Sequence, residues 1–134
     1  MKKYINILKQ LNKKAITNGD VPVSCIILYN NKIIARAYNK REYKKNPLLH
    51  AEIIAIEKAA KKLKTWNLSE CIMISSLKPC NMCKEVIIAS KIKEVYYILD
   101  NKKIINNKIL IKKISTNEYK YFLDELKDFF IDKR

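Results

Sequence analysis

The chain has 134 residues, 49% of them hydrophobic, and its 28 Lys+Arg against 13 Asp+Glu leave a formal charge of +15. That length predicts one domain, 1–134, with a packed core, and apolar runs such as Val23 to Tyr29 fall far short of the roughly 20 residues that cross a bilayer, which excludes a membrane protein. The charge attracts phosphate whatever the fold, but Arg36, Arg41 and Arg134 are the arginines and the rest is lysine spread through an isoleucine- and asparagine-rich chain, a mixture that an AT-rich genome imposes on any protein, so RNA binding and plain solvated faces both stay open.

Residues 3–17 carry Tyr4, Ile7, Leu8, Leu11, Ala15 and Ile16 at helical spacing, and Asn18-Gly19-Asp20 ends that helix. Val21 to Tyr29 is an apolar run, Asn30-Asn31 a tight turn and Lys32 to Tyr38 a second strand, so the pair reads as a hairpin. A polar stretch from Asn39 to Asn46 follows and Pro47 closes it. Ile53, Ile54, Ile56, Ala59, Ala60 and Leu63 then mark a second amphipathic helix with His50 and Glu52 in its first turn. Cys71 to Ser76 reads as a buried strand, Cys80 to Ser90 as a third helix started by Pro79, and Lys93 to Leu99 as another strand. Lys108 to Ile114 is the expected fifth strand, and Tyr119 to Ile131 a terminal helix with Tyr119, Phe122, Leu123, Leu126, Phe129 and Phe130 turned inward. Strands alternating with helices after a hairpin predict an α/β fold of three layers, with helices on both faces of a mixed five-stranded sheet.

Two short motifs carry chemistry. His50-Ala51-Glu52 and Pro79-Cys80-Asn81-Met82-Cys83 together offer one imidazole, two thiols at helical i, i+3 spacing and a carboxylate. A catalytic zinc takes three protein ligands and keeps a fourth position for water, a quota that His50, Cys80 and Cys83 fill. Glu52 is then free to carry protons, which makes a zinc hydrolase with one Zn2+ per subunit the leading reading. Both motifs fall at helix N-termini, whose partial positive charge favours thiolate over thiol. A closed structural site is the alternative and needs a fourth protein ligand, for which Cys25, Cys71 and Glu52 itself are the candidates. Cys25 and Cys71, in apolar strand-like runs, otherwise read as small core residues.

These motifs, with Asn18 to Val23, Ala35 to Glu42, Asn46 to Ile53 and Trp66-Asn67-Leu68 around them, resemble the cytidine and deoxycytidylate deaminase superfamily, and within it the tRNA-specific adenosine deaminases, from about Lys3 to Asp100. The amphipathic start at Met1-Lys2-Lys3-Tyr4, unlike a signal peptide, predicts a soluble, cytoplasmic protein, and the resemblance implies a cytidine-deaminase-like fold and hydrolysis of the first anticodon (wobble) adenosine of a tRNA to inosine by a homodimer that binds the anticodon stem-loop. It also implies that Asn39 hydrogen-bonds the flipped nucleoside and that the backbone of Ala51 reads the base edge, whereas Asn39 read by itself is a good turn residue. The alternatives are the same zinc chemistry on a free base, nucleoside or nucleotide such as guanine, cytosine or deoxycytidylate, and a zinc-stabilised RNA-binding protein without catalysis.

The chain departs from the family pattern at three places. Lys78 precedes Pro79 where this branch usually has glutamate, and Ser24 and Cys25 replace the common glycine and alanine, which crowds the expected pocket floor. The link from Leu99 to Lys108 is short for a crossover, so taken literally it favours an antiparallel final pair, as in free cytidine deaminases; the other readings are a misplaced fifth strand or a trimmed RNA-facing region.

Overall fold

A computed structural model of the chain describes residues 1–100 and 110–132. Nine elements follow in the order α1 (Lys2–Thr17), β1 (Ser24–Tyr29), β2 (Lys32–Tyr38), α2 (Ala51–Leu63), β3 (Cys71–Leu77), α3 (Asn81–Ala89), β4 (Glu94–Leu99), β5 (Leu110–Lys113) and α4 (Tyr119–Asp132). The strands form one mixed sheet in the order β2-β1-β3-β4-β5, the α/β layer arrangement expected from the sequence.

Period-two alternation sorts the core into two layers. Cys25 and Ile27 of β1, with Ala35, Ala37, Met73 and Val95, pack against Ala51, Ala55 and Ala59 of α2 and Ile87 of α3. Their neighbours Ile26 and Leu28, with Ile74 and Ile98, pack on the opposite face against Ile5, Leu8 and Leu11 of α1 and Phe122 of α4. The β1–β2 turn is made by Asn30 (φ 50°) and Asn31 (φ 63°), the paired left-handed conformation of a type I′ hairpin, which asparagine tolerates. Among the described residues, the other positive-φ positions besides Gly19 are Lys45, Lys64 and Lys91.

Strand direction is what assembles the site. β1 is antiparallel to both β2 and β3, with Ser24 opposite Tyr38 and Cys25 opposite Ser75. The chain therefore leaves β2 and β3 at the same edge of the sheet, and α2 and α3, which cover one face, both begin there.

Three expectations are corrected. The pair β4–β5 is parallel, with Glu94 beside Leu110 and Tyr97 beside Lys113, not an antiparallel hairpin. Returning from Leu99 to the level of Glu94 requires about 17 Å at a strand's rise, whereas ten extended residues reach about 33 Å, so the link is long enough. The expected strand start at Lys108 lies outside the described residues. Pro79 is not the first residue of α3: Cys80 holds extended dihedrals (φ −70°, ψ 174°) as its N-cap, and Pro79 lies buried one residue earlier. Phe130 is not turned inward but 50% exposed, since helical periodicity does not reveal how far the surface beneath a terminal helix extends.

Candidate active site

His50 is the N-cap of α2 and Cys80 the N-cap of α3, with Cys83 one turn into α3, so a common sheet edge brings both motifs together. His50 Nδ1 lies 3.7 Å from Cys80 Sγ and 3.4 Å from Cys83 Sγ, and the three ligating atoms fall within 4.8 Å of one another. Zinc bonds of about 2.3 Å to sulfur and 2.0–2.1 Å to nitrogen, at tetrahedral angles, separate S from N by about 3.6 Å. The observed spacing fits that ion. Among the described residues the group has no fourth member. Cys71 begins β3 at the sheet edge opposite the one where Leu77 leads into Cys80, and Cys25 is wholly buried in β1.

The charges agree with a cation in this position. Hydrogen bonds from Cys83 and then from His50 draw the Cys80 thiol down to about 3, against the opposing effect of burial. Cys83 is driven up instead, by its bond to Cys80 and by burial, because without a cation two adjacent thiolates repel. A dication reverses that preference and holds both sulfurs ionised. The bond to Cys80 raises the His50 imidazole.

Glu52 follows His50 by two residues, is 3% exposed, and its Oε1 has no hydrogen-bond partner. Burial pushes its carboxyl up to about 7. An orphaned carboxylate oxygen beside three convergent soft donors is the arrangement that a metal-held water satisfies, so His50, Cys80 and Cys83 can hold zinc and leave Glu52 to handle protons.

Asn39 and Ala51 also meet: the Ala51 N–H donates to Asn39 Oδ1 at 2.8 Å inside the core. That bond ties the end of β2 to the first residue of α2 and fixes which end of the Asn39 amide faces outward. Of the departures from the family pattern, Cys25 lies in the core layer beneath α2, and both burial and the Glu52 charge hold its thiol up. Ser24 faces the other way, its hydroxyl donating to Leu8 O of α1 at 3.0 Å, so it does not crowd the pocket floor. The Lys78 ammonium sits 5.4 Å from the Tyr97 ring centroid.

Sequence reasoning passed over Asp20, read only as part of a helix stop. It is 1% exposed, and its two oxygens accept from the N–H groups of Glu42 at 2.7 Å and Tyr43 at 3.0 Å, pinning the loop that follows Asn39. A carboxylate directly before the apolar Val21 to Tyr29 run was the available signal.

Three metal-ligand donors at the edge of a mixed sheet where two helices begin define the class, a three-layer α/β protein with a metal centre. Residues 1–99 match the cytidine and deoxycytidylate deaminase zinc-binding region, and the chain belongs to that family. It is 38% identical over 85 residues to the tRNA-specific adenosine deaminase of Bacillus subtilis (strain 168), covering 63% of this chain and 53% of that protein. It superposes with a TM-score of 0.78 at 19% identity on the structure of a tRNA:A34 deaminase that edits A to I at the wobble position, covering 84% of this chain and 98% of that one. The guanine deaminase of Nitrosomonas europaea gives a TM-score of 0.77 at 18% identity, over 92% of this chain and 80% of that one. The matched segment spans about half to two thirds of the length of its curated relatives. Among the described residues no helix is long and apolar enough to cross a membrane.

Proposed function

We propose that this chain is a zinc-dependent hydrolase that deaminates adenosine to inosine at the first anticodon position of a tRNA. The observation that carries the chemistry is the buried Glu52 carboxylate, its Oε1 without a partner, beside His50, Cys80 and Cys83. The substrate reading is supported by relatives 31–41% identical that are tRNA-specific adenosine deaminases. Zinc held by His50, Cys80 and Cys83 supplies a water acidified from about 15.7 to near 7 as a nucleophile at neutral pH. Glu52 accepts the proton of the attacking water and delivers it to N1 of the adenine as the C6–O bond forms. It then carries the second proton to the amine, so that the C6–N bond breaks and water plus adenosine become inosine plus ammonia. Asn39, its Oδ1 held by the Ala51 N–H, presents its amide to the nucleoside, and the Ala51 backbone reads the base edge. Unpaired loop bases can be extruded into such a pocket at modest cost. The resemblance further implies a homodimer, and we place it in the cytoplasm.

The free-base alternative loses its best support, because the short link does not make the last pair antiparallel. The binding-only alternative gives the buried Glu52 no task. The test is turnover of an anticodon stem-loop with adenosine at its first position, scored by mass, beside guanine, cytosine and deoxycytidylate. Inosine in the stem-loop is expected, with a loss of about 10³-fold or more in Glu52→Ala. That variant keeps about one zinc per chain, and Cys80→Ala loses it. Turnover of a free base alone, or activity in a metal-free protein, overturns the reading.

A further inference from the structure

Lysine is spread along the whole chain, but in the folded molecule four lysines converge on one groove. Lys40, Lys44, Lys58 and Lys61, with Glu57 as the single carboxylate, line a groove of about 240 Å³ whose floor includes Leu49. The groove opens beside the metal centre, since Lys40 follows Asn39 and Leu49 precedes His50. Along α2 its lining runs from Ile54 to Lys61, about 10 Å at the helical rise.

Three of the four ammonium groups, those of Lys40, Lys44 and Lys58, are held without being neutralised. Among the described residues the ion pairs take Lys9, Lys113 and Lys120, and none involves the four. Lys58 Nζ donates to Arg36 O at 2.7 Å, Lys40 sits 5.1 Å from the Tyr38 ring centroid and Lys44 5.4 Å from that of Tyr43. Partial burial first, and after it the like charges of Lys40 and Lys14, hold the Lys58 ammonium below its ordinary value. The like-charge part of that effect disfavours the free protein and is relieved by an anion that meets several of these groups at once.

We propose that this groove binds the phosphate backbone of the RNA strand adjoining the nucleotide in the site. The assignment rests on the tRNA reading above for its occupant. Charge complementarity with four lysines and continuity with the metal centre favour a strand that continues out of the site over an isolated anion.

The test is the affinity of the zinc-loaded protein for a fluorescently labelled anticodon stem-loop, measured by anisotropy across a salt series. Each phosphate contact in a single strand contributes about 0.7 to the slope of log K against log salt, so Lys44→Gln/Lys58→Gln/Lys61→Gln is expected to reduce that slope by about two units and to weaken binding at least tenfold. The charge-matched control Lys91→Gln/Lys93→Gln/Lys112→Gln, beside or on β4 and β5 at the far side of the sheet from β2, leaves the slope near wild type. Melting midpoint and zinc content verify that each variant is folded, and the single variant Lys61→Gln serves if the triple is not. An unchanged slope, an equal loss in the control, or binding to phosphatidylglycerol vesicles with none to RNA overturns the proposal. Turnover of the same stem-loop separates the two readings: deamination with an unmoved slope defeats the groove alone, and lysine-dependent binding without deamination supports the groove and defeats the deaminase reading.

Discussion

At the scale of single residues, stability and site geometry depend on a few buried polar groups whose partners are distant in sequence. Asp20→Ala removes the acceptor of two backbone N–H bonds to the loop after Asn39. Bonds to a charged acceptor contribute about 1.5–3 kcal/mol each, so a loss of about 3 kcal/mol is expected in urea denaturation. Asn12, buried in α1, donates from Nδ2 to Glu125 Oε1 at 2.9 Å, while its own Oδ1 has no partner. Burial holds the Glu125 carboxyl above its ordinary 4.5, against the pull of that bond. The folded state is therefore the stronger proton binder, and stability falls as pH rises from about 4.5 through the folded-state value, then levels. Glu125→Gln keeps the accepting oxygen and adds an N–H for Asn12 Oδ1. A gain of about 1 kcal/mol at pH 7 is expected, shrinking near pH 4.5 where the protonated acid can donate as well; urea midpoints at the two pH values check it. The place of Asp20 before an apolar run was a signal in the sequence, but nothing local names Glu42 and Tyr43 as its partners or joins Asn12 to Glu125. His50, Cys80, Cys83 and Glu52 were legible, because metal chemistry dictates the residue types and helix geometry the i, i+3 spacing.

At the scale of elements, the helices and strands followed from periodicity, and Asn30-Asn31 from the left-handed turn a tight hairpin requires. The direction of β5 did not, since link length sets an upper limit on reach and leaves both directions open when that limit is generous. The inner face of α4 was partly legible: Phe122 is 1% exposed, whereas Phe130, on the same arc of the wheel, lines an open groove with Tyr43 and Arg41. Phe122 joins α4 to the layer formed by α1 and the sheet. Phe122→Ala is expected to cost about 3–5 kcal/mol, and Phe130→Ala less than about 1 kcal/mol, a contrast that parallel denaturation curves resolve.

At the scale of the whole molecule, we propose that residues 1–134 unfold as one unit, since both core layers share strands β1 to β4. One cooperative thermal transition is expected, with a midpoint that rises on adding salt because the +15 charge repels itself; two separate transitions refute a single unit. The sequence contains one glycine, and left-handed positions that glycine ordinarily serves fall to Lys45, Lys64 and Lys91. Lys64 is the clearest, closing α2 at φ 56° and ψ 39°. Glycine codons begin with two guanines and lysine codons with two adenines, so an AT-biased gene offers the second where the backbone asks for the first. Lys64→Gly should recover about 1 kcal/mol in a melting curve, because glycine takes the left-handed position at the end of α2 with no Cβ to crowd the carbonyl.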